Sequence, residues 1–145
     1  MILLENTRLY ATQPRVVARA LQRWFLRIDP LERNQEHGFV LILDARNRVT
    51  VVDVVGLGTL SSVMIHPREV YRRAITLGAA SIVVAHNHPS GDCTPSDADI
   101  LATERLVQAG HVVGIELLDH IIFSWKGFYS FNEQNLISPQ GWERY

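Results

Sequence analysis

Two histidines one residue apart, His86 and His88, are followed within a dozen positions by Asp92, Asp97 and Asp99, and this is where the 145-residue sequence best supports chemistry. Imidazole nitrogens and a carboxylate oxygen suit zinc in a catalytic site, where three protein groups leave the fourth position to water. Water held in that position has its pKa lowered to about 7, which makes hydroxide available at neutral pH. Cys93 is the only cysteine, so a structural site built from several thiolates is excluded.

If a strand runs through His86, both imidazoles point to one face and Asn87 points to the other. Pro89, Ser90, Gly91 and Asp92 then turn the chain, and a helix beginning soon afterwards returns Asp99 towards the strand end. Asp97 and Asp92 stay open as substitute ligands, although Asp97 is assigned to helix capping and Asp92 to the tight loop. A hydrolase also needs a base within reach of the water. Glu36 leads, with Glu32 behind it. Ser96, three residues before Asp99, is a helical neighbour whose hydroxyl could donate to an oxyanion, yet serine in a first turn often serves only to start the helix. Cys93 has no basic partner adjoining it and reads as a bystander, His66 reads as a helix start, and His120 reads as a support for the ligands or a plain strand residue.

The elements that must position these groups follow from periodicity. Thr12 reads as the cap of a first helix, with Pro14 in its first turn and Val16, Val17, Ala20, Leu21, Trp24, Phe25 and Ile28 at helical spacing before Pro30. Trp24 and Phe25 are assigned to the core. Phe39 to Leu43 and Val49 to Val55 are apolar runs around a polar turn, which predicts a hairpin broken by Gly56 and Gly58. A helix from His66 and Pro67 to Gly78 and a buried strand from Ser81 to Ala85 come next. The third helix is expected to have Thr94 as N-cap, Pro95 in first position, Asp97 completing a capping box and Gly110 as its end. Val112 to Leu118 and Ile121 to Trp125 read as two strands, followed by a turn at Lys126 and Gly127 and an apolar stretch from Phe128 to Phe131.

With 47% hydrophobic and 20% charged residues, residues 1–145 are expected to form one α/β domain. A net charge of −1 gives no general attraction to nucleic acid or to an anionic membrane. Arg68, Arg72 and Arg73 form a small basic patch that is more often a solvated face than a phosphate contact. The opening residues Ile2, Leu3 and Leu4 are too few for a secretory signal, and no apolar run approaches the roughly 18 residues of a membrane span. With a lone cysteine, these features lead to the expectation of a cytoplasmic protein.

The spacing His86-x-His88, seven residues, Ser96, two residues, Asp99, with Glu36 upstream, resembles the JAMM motif of MPN/JAB-domain metalloproteases. The sequence further resembles the RadC family through Glu36-His37 leading to Leu43-Asp44, Gly58-Thr59-Leu60, His66-Pro67-Arg68-Glu69-Val70, Ala85 to Asp92, Thr94-Pro95-Ser96 and Leu117-Leu118-Asp119-His120. That match covers about residues 34 to 133, which leaves residues 1–33 as an N-terminal helix extension. The resemblance implies a JAB/MPN-like mixed β-sheet flanked by helices, of cytidine-deaminase-like architecture. It also implies one zinc ion on His86, His88 and Asp99, Glu36 as general base and Ser96 as transition-state stabiliser.

The expected reaction is hydrolysis of an amide bond in a peptide or isopeptide substrate by metal-activated water. Zinc-dependent base deamination would need a Glu beside the histidine and a Cys-x-x-Cys downstream, and this chain has Asn87 and one cysteine. The alternative from another class is an accessory protein of DNA repair or recombination that acts by binding. The near-neutral charge weakens it, as do two departures from RadC sequences: the helix-hairpin-helix region of longer RadC proteins is expected to be lacking, and Ser61-Ser62-Val63 replaces a more usual Asn/Ser-rich triplet.

Overall fold

The structure is a computed structural model that describes residues 2–57 and 65–137. Its elements in chain order are β1 (Ile2–Glu5), α1 (Pro14–Phe25), β2 (His37–Leu43), β3 (Val49–Leu57), α2 (Pro67–Thr76), β4 (Ser81–Asn87), α3 (Asp97–Val113), β5 (Glu116–Phe123) and β6 (Phe128–Ser130). They form an α/β fold around one mixed six-stranded sheet of order β1-β3-β2-β4-β5-β6. Only β4 and β5 run parallel, because α3 carries the chain back across the sheet between them.

Strands β2 and β4 lie inside the sheet and are buried along their whole length, which explains their unbroken apolar runs. Alternation then sorts their side chains between two cores. Phe39, Leu41, Leu43, Val83 and Ala85 pack with Val17 and Leu21 of α1 on one face. Val40, Ile42, Ile82 and Val84 pack with Val70 and Ala74 of α2 and Leu106 of α3 on the other. His86 extends the second series and Asn87 the first, so the strand sends neighbouring polar residues to opposite layers.

Several boundaries differ from the sequence reading. Gln13, not Thr12, precedes the first turn of α1 and makes no side-chain cap, and the helix ends at Phe25 rather than near Pro30. Trp24 and Phe25 are partly buried against the α1-side core. β1 was not anticipated. Gly56 continues β3 opposite Gly38 instead of ending it.

The start of α3 is two residues later than expected. Thr94 N–H donates to the Asp92 carboxylate at 2.9 Å, which keeps Thr94 in the loop. Ser96 is the N-cap: its Oγ accepts from Asp99 N–H at 3.0 Å, while Asp99 Oδ2 accepts from Ser96 N–H at 2.9 Å. This reciprocal pair is a capping box. Asp97 has no part in it and is the first helical residue.

The end of α3 is later as well, at Val113, with Gly114 in the left-handed conformation at φ 76°. Gly110 lies inside the helix, where a Cβ would meet Ile115 O and Tyr71 Oη, each at 2.6 Å. Its role is close packing. Val112 is therefore helical, and the two strands expected between Val112 and Trp125 are one, β5, that runs through Asp119 and His120. Both polar residues are buried. Asp119 accepts hydrogen bonds from Ser130 Oγ at 2.6 Å and Asn132 N–H at 3.1 Å, yet burial pushes its carboxyl up to about 8. The segments Gly58-Thr59-Leu60 and Ser61-Ser62-Val63 lie outside the described residues.

Candidate metal centre

His86 is the penultimate residue of β4, and His88 follows the strand end, where its N–H still donates to Phe123 O of β5 at 2.9 Å. That extra rung keeps both imidazoles on the α3 side of the sheet. Asp99 reaches them from the first turn of α3, with its backbone N–H and one carboxylate oxygen fixed by the box with Ser96. Among the described residues, His86, His88 and Asp99 form a group of potential ligand atoms that all lie within 4.8 Å of one another.

The distances inside the group suit a single small cation. His86 Nε2 lies 3.0 Å from His88 Nε2 and 3.3 Å from Asp99 Oδ1, and His88 Nε2 lies 3.5 Å from Asp99 Oδ2. Tetrahedral ligands at bond lengths of about 2.0–2.1 Å stand about 3.3 Å apart. The donor chemistry points the same way. His88 Nδ1 lies 2.7 Å from the Asp92 carbonyl, which can only accept, so the ring carries Nδ1–H and turns the other nitrogen to the group. The Asp92 contribution is thus its backbone oxygen, and its carboxylate is turned to Thr94.

Electrostatics within the group are strong. Hydrogen bonding to Asp99 holds the His88 imidazole above its ordinary pKa against the opposing effect of burial. Burial would raise Asp99, but the two imidazoles outweigh it and hold the carboxyl well below the usual carboxylate range. Two nitrogens and one oxygen fit zinc, but imidazole also suits other first-row metals, so the donor set by itself leaves the metal's identity open.

Glu36 stands just before β2, 7% exposed, with Oε1 3.8 Å from His88 Nε2. It lies beside the three-residue group. The backbone around it is held by Asn87, on the opposite face of β4 from the histidines. Asn87 Oδ1 accepts from His37 N–H at 2.7 Å and Nδ2 donates to Gln35 O at 3.0 Å, gripping the backbone on both sides of Glu36. His37 Nδ1 donates to the same carbonyl at 3.0 Å, and its ring packs edge-on to Phe25 and parallel to Phe39. Sequence reasoning assigned Asn87 no role. The available signal was its strand position, which sends an amide into a core that needs a polar partner for it.

Two further side chains, His120 and Thr103, back His86 from the far side. His120 Nε2 lies 2.8 Å from His86 Nδ1, and its Nδ1 lies 2.6 Å from Thr103 Oγ1. Burial holds His120 well below the ordinary histidine pKa, and its ring stacks on Phe131 at 4.7 Å. Thr103 is one helical turn beyond Asp99, a spacing that could have flagged it. Ser96 Oγ accepts from Asp99 N–H and retains its own proton for donation. His66 caps α2 by accepting from Arg68 N–H at 3.1 Å. The Cys93 thiol, raised by burial, donates to Ser124 Oγ at 3.3 Å.

A His-x-His pair at the end of a buried strand, completed by an acid from the first turn of the next helix, defines an α/β domain with a candidate metal site. Residues 11–136 match the family model described as a RadC-like JAB domain, and the chain belongs to the RadC family. It is similar to a UPF0758 protein of Desulforamulus reducens, 44% identical over 109 residues that cover 75% of this chain and 48% of the relative. A UPF0758 protein of Moorella thermoacetica is 48% identical over 104 residues, 72% of this chain and 45% of the relative. UPF0758 protein STH371 of Symbiobacterium thermophilum is 48% identical over 103 residues, 71% of this chain and 44% of the relative. The matched stretch thus spans less than half the length of these relatives. No helix among the described residues is long and apolar enough to cross a membrane.

Proposed function

We propose that the chain is a zinc-dependent hydrolase that cleaves an amide bond, a metallopeptidase or isopeptidase with one ion on His86, His88 and Asp99. The observation that carries this reading is the buried Glu36 carboxylate, 3.8 Å from His88 Nε2 and outside the ligand set. An acid so placed can accept a proton at Oε1 and return it to a leaving amine. Zinc, when bound by the three residues, supplies Lewis acidity towards the carbonyl oxygen and acidifies a water.

The remaining roles belong to the chain itself. Asn87 fixes the backbone on either side of Glu36, which holds the base in one place while the proton moves. Ser96 Oγ–H is available to donate to a developing oxyanion, since its bond with Asp99 uses only a lone pair. A cavity of about 300 Å³ beside His88, lined in part by Phe25, Leu26, Phe123 and Trp125, offers room for an apolar side chain of the substrate. The accessory reading in DNA repair has less support, because Arg72 pairs with Glu69 at 2.7 Å and Arg73 with Asp53 at 2.8 Å.

The test is cleavage of a broad panel of peptides and isopeptides by the zinc-loaded wild type and Glu36→Gln. Cleavage by the wild type that is lost in a variant still holding one zinc supports the proposal. Tight zinc binding by the wild type without amide cleavage anywhere in the panel overturns it.

A further inference from the structure

On opposite sides of one interface, β4 and β5 present His86 and His120 while α3 presents Asp99 and Thr103. Four contacts link them into a closed ring. His86 Nε2 faces Asp99 Oδ1 at 3.3 Å, His86 Nδ1 faces His120 Nε2 at 2.8 Å, His120 Nδ1 faces Thr103 Oγ1 at 2.6 Å, and Thr103 Oγ1 donates to the backbone oxygen of Asp99 at 2.8 Å. Neither His120 nor Thr103 enters the reaction proposed above.

We infer that Thr103 and His120 form a positioning relay that fixes the tautomer of His86 and keeps its Nε2 bare for a metal ion. The inference rests on the reading of His86 as a ligand. Protons along the ring can be counted from its one carbonyl. A carbonyl can only accept, so the single proton of Thr103 is committed to Asp99 O, and towards His120 the hydroxyl can only accept. His120 must then carry Nδ1–H. With one proton on a neutral ring, His120 Nε2 is an acceptor, and His86 Nδ1 must donate to it. On a neutral His86 ring the remaining nitrogen, Nε2, then carries no proton and is aimed at Asp99 and His88.

Reversing the relay shows what it prevents. Were Thr103 to donate to His120, Nε2 of His120 would carry the proton, His86 Nδ1 would accept it, and His86 Nε2 would be protonated in the one place where a ligand must be bare. The carbonyl at the end of the relay belongs to Asp99 itself. One ligand thus anchors, through two intermediaries, the protonation state of another. His88 has its Nδ1 proton fixed by a shorter route, directly on the Asp92 carbonyl. Loss of such an outer hydrogen bond typically weakens metal binding by roughly 10–100-fold.

The experiment measures zinc affinity by chelator competition for wild type, Thr103→Val and Thr103→Ser, and assigns ring tautomers by long-range ¹H–¹⁵N correlation NMR in the wild type. Thr103→Val keeps the shape and removes the hydroxyl, and is expected to weaken zinc binding by roughly 10–100-fold. Thr103→Ser restores the acceptor and the affinity. The spectra are expected to place protons on Nδ1 of both His120 and His86. The inference is overturned by a proton on Nε2 of His120, by Thr103→Val binding zinc as wild type does, or by a wild type that binds no zinc. If Thr103→Val fails to fold, the wild-type tautomers together with Thr103→Ser decide the matter. These readouts do not involve turnover, so a protein that binds zinc with this tautomer pattern and cleaves nothing sinks the hydrolase proposal while the relay stands.

Discussion

The two faces of β4 at its C-terminal end solve different positioning problems. On the α3 face, His86 is held by side chains, Asp99 and His120, with Thr103 behind them. On the α1 face, Asn87 grips two backbone groups that flank Glu36. The difference follows from what each target needs. A ligand must have a defined proton as well as a defined place, which only a donor or acceptor on its ring can impose. Around Glu36 the anchoring acts on the two flanking peptide groups and so sets where the carboxylate stands.

The largest effect should come from the residue that Asn87 serves. Glu36→Gln is expected to lower amide hydrolysis by about 10²–10⁴-fold with bound zinc unchanged. Equal loss of zinc in this variant, seen by metal analysis, would place Glu36 among the ligands and erase the contrast between the faces.

Asn87→Ala should come next. Losing one partner from each flanking peptide group leaves a buried N–H and weakens a carbonyl contact, at a cost of about 1–3 kcal/mol of stability. A base displaced by about 1 Å should cost on the order of 10²-fold in turnover, while zinc affinity stays near that of the wild type. Chelator competition and turnover measured on one sample check that split.

A third test sharpens the α3 face through pH. His88 is held above its ordinary pKa, chiefly by Asp99, so it stabilises the metal-free fold fully below about pH 6.5, and this is lost as pH rises through the raised value. Asp99 is held low, so its contribution is present above about pH 3.9 and disappears as pH falls through the lowered value. Zinc needs His88 unprotonated and so reverses the first trend. The His88 contribution should therefore lower the melting temperature of chelator-treated protein from pH 6 to pH 8.5 and leave the zinc-loaded protein without that decline. A zinc-loaded protein that declines in parallel would contradict the shared-site picture.

The smallest effect concerns the packing behind that face. Gly110→Ala gains helix propensity of about 1 kcal/mol, yet its Cβ would press on Ile115 O and Tyr71 Oη at 2.6 Å. A net loss of about 1–2 kcal/mol, measured by chemical denaturation, is expected. A net gain would mean that α2 and α3 can move apart without penalty.

Much of this could be read in the sequence because period and spacing carry it. The buried runs of β2 and β4, the placement of His86 and His88 on one face and the approach of Asp99 all follow from strand and helix geometry. The rest escaped where two local signals competed. Thr94, Pro95 and Asp97 offered one helix start, while Ser96 and Asp99 offered another two residues on; the Asp92 turn settled it by engaging Thr94. In β5, buried Asp119 and His120 interrupted an apolar pattern, and one strand read as two. Polar groups satisfied across the fold leave only a weak local trace. Strand position for Asn87 and a one-turn spacing from Asp99 for Thr103 were present in the sequence, but the partners that give them meaning, like the choice between two roles for His120, came from distant segments.

The unit from β4 through α3 to β5 has a further consequence for chain entropy. Residues 81–123 contain His86, His88 and Asp99 of the candidate metal group together with Thr103 and His120, whereas Glu36 comes from a segment some fifty positions before His86. Closing shorter loops costs less of that entropy. The candidate ion-holding group therefore closes over shorter loops than the one that returns Glu36 to its side.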